Sequence, residues 1–269
     1  MKYYSLGIDW EDFGLISYDQ GKIVDYKSFT NDFKDETFYL LDFLKENKVK
    51  CTFFINARTA EIHPKLTKII SQYGHAIGSH GYKHVSRQSL TNKEFLDDSI
   101  YSKNLIEDII QKEVVGYRSP LLSISRSDYL DSLRILKKAG YQYDSSITVK
   151  CLSKLPNYPA RDVIKIIPLT SVKFGFISLN LAGGSTWRIL PSFLTSYILK
   201  SKMTSNNSSF YLHPYEFGNP INPCRGISSK ANILKKFAIY LRWNFNKNAI
   251  EEIITALANS QRVSISEVK

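Results

Sequence analysis

Three cysteines in 269 residues, Cys51, Cys151 and Cys224, are too few and too widely spaced for a disulfide framework. An odd count without a C-x-x-C pair fits a reducing compartment. No apolar run is long enough to cross a bilayer as a helix. The N-terminal stretch reaches Asp9 too early for the apolar core of a secretory signal. These absences predict a cytoplasmic location, with membrane association left open. No Gly-x-Gly-x-x-Gly and no phosphate loop follow the first strand-like run, which disfavours a nucleotide-binding fold. Internal repeats and low-complexity segments are absent too.

A long basic run is also missing. The formal net charge is +11, from 36 Lys and Arg against 25 Asp and Glu, but the charges are scattered. Such a surface attracts anions in general, and no nucleic-acid partner is expected. The densest basic stretch contains Lys230, Lys235, Lys236 and Arg242, interleaved with Phe237, Ile239, Tyr240, Leu241 and Trp243. It reads as a solvated helix face, or alternatively as a peripheral membrane contact.

What the chain has is apolar and aromatic bulk. It is 43% hydrophobic and 13% aromatic, with 17 Tyr and 15 Phe, so it can bury one sizeable core. One domain over residues 1–269 is expected, with a C-terminal helical extension beginning near residue 228. Strand-like runs fall at 3–9, 50–55, 75–79, 114–118, 141–145, 163–168, 174–178 and 209–213. Helical patterns cover 34–47, 64–73, 92–112, 126–139, 191–202 and 248–260. Thr91 and Glu94 form a capping-box start, and Gly140 is a helix stop. This alternation predicts an α/β fold with a mostly parallel sheet and helices outside, as an open doubly wound sheet or a (β/α) barrel.

Sites in such folds gather at the C-terminal ends of the strands. There the sequence places the cluster Asp9-Trp10-Glu11-Asp12, the pair His80 and His84, then Arg118, Asp144 and His213. A carboxylate with two imidazoles can hold a divalent cation and leave a position open for water. Mixed nitrogen and oxygen donors suit Zn2+ first, with Co2+, Ni2+, Fe2+ or Mn2+ as alternatives. His63 before Pro64, His75 after Gly74, and Cys51 read as structural.

In order, the chain shows Gly7-Ile8-Asp9-Trp10-Glu11-Asp12, Thr52-Phe53-Phe54-Ile55 and Gly78-Ser79-His80-Gly81-Tyr82-Lys83-His84. Then come Gly116-Tyr117-Arg118-Ser119-Pro120, Gly140-Tyr141-Gln142-Tyr143-Asp144-Ser145-Ser146 and Leu212-His213-Pro214-Tyr215-Glu216. This set resembles the polysaccharide deacetylase family, carbohydrate esterase family 4, with the NodB-homology fold, and most closely its Asp-x-Glu-Asp branch. The resemblance implies a deformed (β/α) barrel and a metal-dependent hydrolase that removes N-acetyl groups from sugars. It implies His80 and His84 as metal ligands, Asp9 as catalytic base, His213 as catalytic acid and Arg118 as the residue that orients the base. Asp144 lies where the fourth motif falls.

The third ligand is open at this point. Strand alternation puts Glu11 on the side of Asp9. A bulge after Trp10 would instead present Asp12, and Asp is the ligand type of the family. Gly183-Gly184-Ser185-Thr186-Trp187-Arg188 is a candidate glycine-rich loop near the substrate. The expected partner is an N-acetylated carbohydrate, such as a lipid-linked or nucleotide-linked precursor of a surface polysaccharide. Two other functions stand beside this one: an amide or cyclic-imide hydrolase on the same fold, and a non-catalytic glycan- or membrane-binding module.

Overall fold

Strand β1 (Lys2–Trp10) sorts its side chains by alternation. Leu6, Ile8 and Trp10 are fully buried in the main core, while Gly7 and Asp9 face the other way, against Arg118. The computed structural model describes residues 2–19, 27–125, 127–148, 164–174, 177–180, 182–188, 190–201, 207–218, 233, 245–259 and 263–266.

Parallel pairing continues from β1 through β2 (Thr52–Ile55), β3 (Ala76–Ser79), β4 (Gly116–Tyr117), β5 (Tyr143–Asp144) and β6 (Lys165–Ile166). A short antiparallel hairpin, β7 (Ser171–Phe174) with β8 (Ile177–Asn180), stands off this sheet. Strand β9 (Asn207–Leu212) pairs along one edge of β1, from Tyr3 to Ile8. The other edge takes β10 (Val263–Ser266) beside its first half and β2 beside its second. Single bridges from Leu169 to Thr148 and to Ser209 carry the ladder round to β9. The fold is therefore the deformed (β/α) barrel that the motifs imply.

Helices cover the outside. In α2 (Lys27–Glu46), Phe33, Leu40, Leu41 and Leu44 are buried, but Phe38 is 41% exposed. Thr37 rather than Phe38 turns inward there, to accept a hydrogen bond from Trp10 Nε1 at 3.0 Å. The helix over Asn92–Ile110 has the expected Thr91/Glu94 capping box. The barrel interior is small and mixed: Phe54, Tyr143 and Ile167 cluster there, with the Arg118 guanidinium 4.0 Å over the Phe54 ring.

Two expectations differ from what is observed, and a third falls outside it. The run at 174–178 is split between the two strands of the hairpin: Phe174 ends one and Ile177 opens the other. The C-terminal extension holds a helix over Ala249–Ala258 but ends in β10, whose Val-Ser-Ile-Ser alternation suits a strand. Cys151, Cys224 and the basic stretch from Lys230 to Trp243 lie outside the described residues, Ile233 apart. Among the described residues no helix is long and apolar enough to cross a membrane.

Candidate active site

Alternation continues past the end of β1 and separates four successive side chains. Asp9 and Glu11 turn toward the cleft at the C-terminal strand ends. Trp10 and Asp12 turn into the helix layer, where Trp10 packs on Phe33 and Phe33 on His63. Asp12 Oδ2 sits 3.3 Å from His63 Nε2, and its Oδ1 accepts the Leu15 N–H at the start of the next helix. Asp12 is thus occupied as a helix cap and is not among the groups that converge on the histidine pair.

Glu11 is. Its Oε2 lies 2.5 Å from His84 Nε2 and 3.5 Å from His80 Nε2, and all three residues are buried. The ligand atoms of Glu11, His80 and His84 lie within 4.8 Å of one another. His80 Nδ1 donates to the Arg118 carbonyl at 2.9 Å, which fixes the proton on Nδ1 and leaves Nε2 as a bare lone pair. Glu11 Oε2 has no hydrogen bond despite those short approaches. The bare His80 Nε2 and the unbonded Glu11 Oε2, both buried and 3.5 Å apart, are donors that a cation would take up, so the donor set fits a divalent metal. Burial works against the Glu11 carboxylate, but His84, His80 and His213 hold its pKa well below the usual value.

The loop that presents the histidines is clamped from both sides. Asn56 Nδ2 donates to the carbonyls of Gly81 and Tyr82, and Asp98 accepts from the backbone N–H of Tyr82 and Lys83. His84 is held at φ 50°, a left-handed conformation that an unsupported histidine would leave.

Arg118 crosses the barrel interior to Asp9. Its Nη1 donates to Asp9 Oδ1 at 2.7 Å, Nε to the Ser145 carbonyl, and Nη2 to the hydroxyls of Ser145 and Ser209. The side chain is fully buried, so this complete set of acceptors is what makes its charge tolerable. Gly7 makes room for it: a Cβ there would stand 2.3 Å from Arg118 Nη1.

Asp144 does a different job. Tyr129 Oη, Ser146 N and Ser146 Oγ all donate to its carboxylate, and the Ser119 N–H donates to Ser146 Oγ. Asp144 therefore braces the segment that carries Arg118, and it shares no hydrogen bond or ion pair with Glu11, His80, His84 or His213. Burial pushes its pKa up to about 6, against the hydrogen bonds from Ser146 and Tyr129.

His213 follows β9, with Nε2 3.7 Å from Glu11 Oε1 and its ring stacked on Tyr215 at 4.7 Å. Burial disfavours its charged form. Glu216, with Glu11 and Asp9 beyond, more than offsets this and raises the pKa to about 9. One cleft therefore gathers Asp9, Glu11, His80, His84, Arg118 and His213, while Asp144 supports it and Asp12 lies outside. The motif reading gave no role to Glu216, Arg188, Ser145, Ser209, Asn56 or Asp98. Of these only Glu216 had a local signal, three residues beyond His213 in a tight turn.

Residues 14–143 match the polysaccharide deacetylase family, and residues 147–265 match a domain of unknown function, DUF3473. A peptidoglycan deacetylase of Helicobacter pylori is 31% identical over 108 residues, 40% of this chain and 36% of that protein. The peptidoglycan-N-acetylmuramic acid deacetylase PdaA of Bacillus subtilis is 30% identical over 118 residues, 44% of each chain. The matched region thus spans less than half of these relatives. Among solved structures, a carbohydrate esterase family 4 pseudoenzyme of Bacillus anthracis superposes with a TM-score of 0.57 at 14% identity, over 99% of this chain and 64% of that one. A family 4 carbohydrate esterase of Streptomyces lividans, in complex with acetate, gives 0.53 at 12% identity over 98% and 91%. The ordered motifs and the family match together show that residues 14–143 of this chain belong to the polysaccharide deacetylase family, and the solved family 4 carbohydrate esterases share the fold of the whole described chain.

Proposed function

We propose that this chain is a metal-dependent carbohydrate de-N-acetylase, which hydrolyses the acetamido group of an N-acetylated glycan. The observation that carries the reading is the convergence of Glu11, His80 and His84 beside an Arg118-held Asp9 and an accessible His213. Glu11, His80 and His84 would hold the cation, with Zn2+ the first candidate for such donors. Bound there, a divalent metal supplies Lewis-acid polarisation of the acetyl carbonyl and lowers the pKa of a coordinated water toward ~7.

The chain's own residues supply the rest. Asp9 accepts the proton of the attacking water, and Arg118 keeps that carboxylate aimed. His213 offers a proton from Nε2 to the leaving nitrogen. The residue types for both proton transfers are present, which favours an active enzyme over a retired scaffold. The net charge of +11 suits a glycan that bears acidic or lipid-phosphate groups.

The test is acetate release from N-acetylated oligosaccharides, with metal content measured in parallel and His80→Ala and Asp9→Asn as controls. Loss of release in both variants supports the assignment. Release that persists unchanged in both removes it.

A further inference from the structure

The proton donor of the proposed reaction must point Nε2 at the leaving nitrogen, so something must hold its other ring nitrogen. In this chain that contact is local. Glu216 Oε2 lies 3.2 Å from His213 Nδ1 and also accepts the His213 backbone N–H at 2.9 Å. Two bonds to one oxygen fix both the backbone and the ring of the same residue. Pro214, Tyr215 and Glu216 form the 3-10 turn that makes this reach possible.

Glu216 is itself fixed. It is buried, and Arg188 Nη2 stands 3.4 Å from its Oε1. Gly184 lets it come close: a Cβ there would lie 2.3 Å from Glu216 Oε1. The glycine-rich segment singled out in the sequence thus serves the acid's partner, and Trp187 anchors it by packing on Phe210. Among the described residues no other carboxylate hydrogen-bonds His213 Nδ1.

We propose that Glu216, backed by Arg188 and the Gly183–Gly184 turn, is the positioning residue that keeps His213 aimed as proton donor to the leaving group. This rests on the deacetylase reading. As the tetrahedral intermediate collapses, the C–N bond breaks and its electron pair stays on nitrogen. His213 Nε2 gives its proton to that nitrogen, and the Nδ1–H bond to Glu216 is kept throughout. Acetate and a free amine leave, with the water consumed.

A role of this kind depends on the leaving group, which a merely structural role would not. The test compares three acetyl compounds: an N-acetylglucosamine tetramer, an O-acetylated sugar and 4-nitrophenyl acetate. The nitrophenolate leaves without a proton, and the amine and alkoxide do not. In Glu216→Ala, kcat on the tetramer falls about 10- to 100-fold, the range for a group that orients a working residue, with KM little changed. The O-acetyl sugar falls in parallel, and 4-nitrophenyl acetate does not. Glu216→Gln, which keeps an acceptor oxygen, loses less and covers the case in which alanine unfolds the turn. Adding Glu216→Ala to His213→Ala causes no further loss.

Equal loss on all three compounds, no loss on any, or additive losses in the double variant would overturn the role of Glu216. Cleavage of both esters with every N-acetyl sugar left intact overturns the deacetylase reading instead. The alkyl ester against the aryl ester then still decides Glu216.

Discussion

Strand β3 has a histidine at each end, and the two have opposite characters. His75 stands before its first residue, next to Cys51 and tilted against Phe53. Burial, with Lys50 nearby, pushes its pKa down to about 4, so it is neutral. A cavity of about 600 Å³ opens at that end, lined by Lys45, Lys48, Lys50, Tyr73 and His75 without a carboxylate. His80 stands after the last residue of the strand and faces Glu11. Residue type and burial are alike. What differs is that parallel strands present their C-terminal ends together, so Asp9, Glu11, Arg118 and His213 all arrive at one end and none at the other.

The sharpest way to break this comparison is to remove each histidine in turn. His80→Ala is expected to abolish metal binding and to lower acetate release by more than about 100-fold, since a ligand should matter more than the groups that orient it. His75→Asn is expected to leave both unchanged. Metal analysis beside an acetate assay decides it, and a parallel loss in the two variants would erase the distinction between the ends. Next in size, Asp9→Asn should cost roughly 10²- to 10⁴-fold in turnover with metal content retained. Metal lost together with activity would make Asp9 a ligand rather than a base.

Smaller effects test the layers on either side of the cleft. Gly7→Ala would drive a methyl into Arg118 and is expected to destabilise the fold by about 1–3 kcal/mol, read by denaturant unfolding. Asp12→Ala removes a helix cap, at about 1 kcal/mol, and should leave metal content intact where Glu11→Ala empties it.

The last effects are in pH, and they leave the cleft untouched. His75 has a folded pKa of about 4 against 6.5 unfolded, so the unfolded chain binds more protons between those values and stability falls as pH drops through them. Glu36 is the reverse. Burial, then Asp32, Asp12 and Asp35, raise it from 4.5 to about 8, so its contribution is lost as pH rises through that window. Glu36→Gln should therefore raise Tm increasingly from pH 4.5 to 8, and His75→Asn should flatten the acid limb. Melting curves across pH that show neither change would mean these groups titrate normally.

Much of the site was legible because it obeys short periods. Alternation along β1 favours Glu11, but a bulge after Trp10 left Asp12 open until its contacts with His63 and the Leu15 N–H were seen, and the four-residue step from His80 to His84 sits in one clamped loop. Arg118 was legible as a motif, but its route was not, since Gly7, Ser145 and Ser209 come from three distant segments. Asp144 was placed in the catalytic set by its position after a strand, where the fourth motif falls. Its carboxylate is instead satisfied by Tyr129 and Ser146, a contact that spacing does not reveal. The hairpin at Ser171–Asn180 and the final strand were missed because four-residue strands carry too little pattern to stand out from loops.

One consequence follows from the way β1 is flanked. Both of its edges accept strands from late in the sequence, β9 and β10, and the segment after β9 brings His213. The carboxylate half of the cleft is therefore made early and the proton donor arrives with the closure of the barrel. A chain emerging during synthesis can gather Glu11, His80 and His84 long before His213 joins them. Pairing of β9 with β1 and completion of the proposed site are the same event, and because that pairing joins distant segments it should be slow.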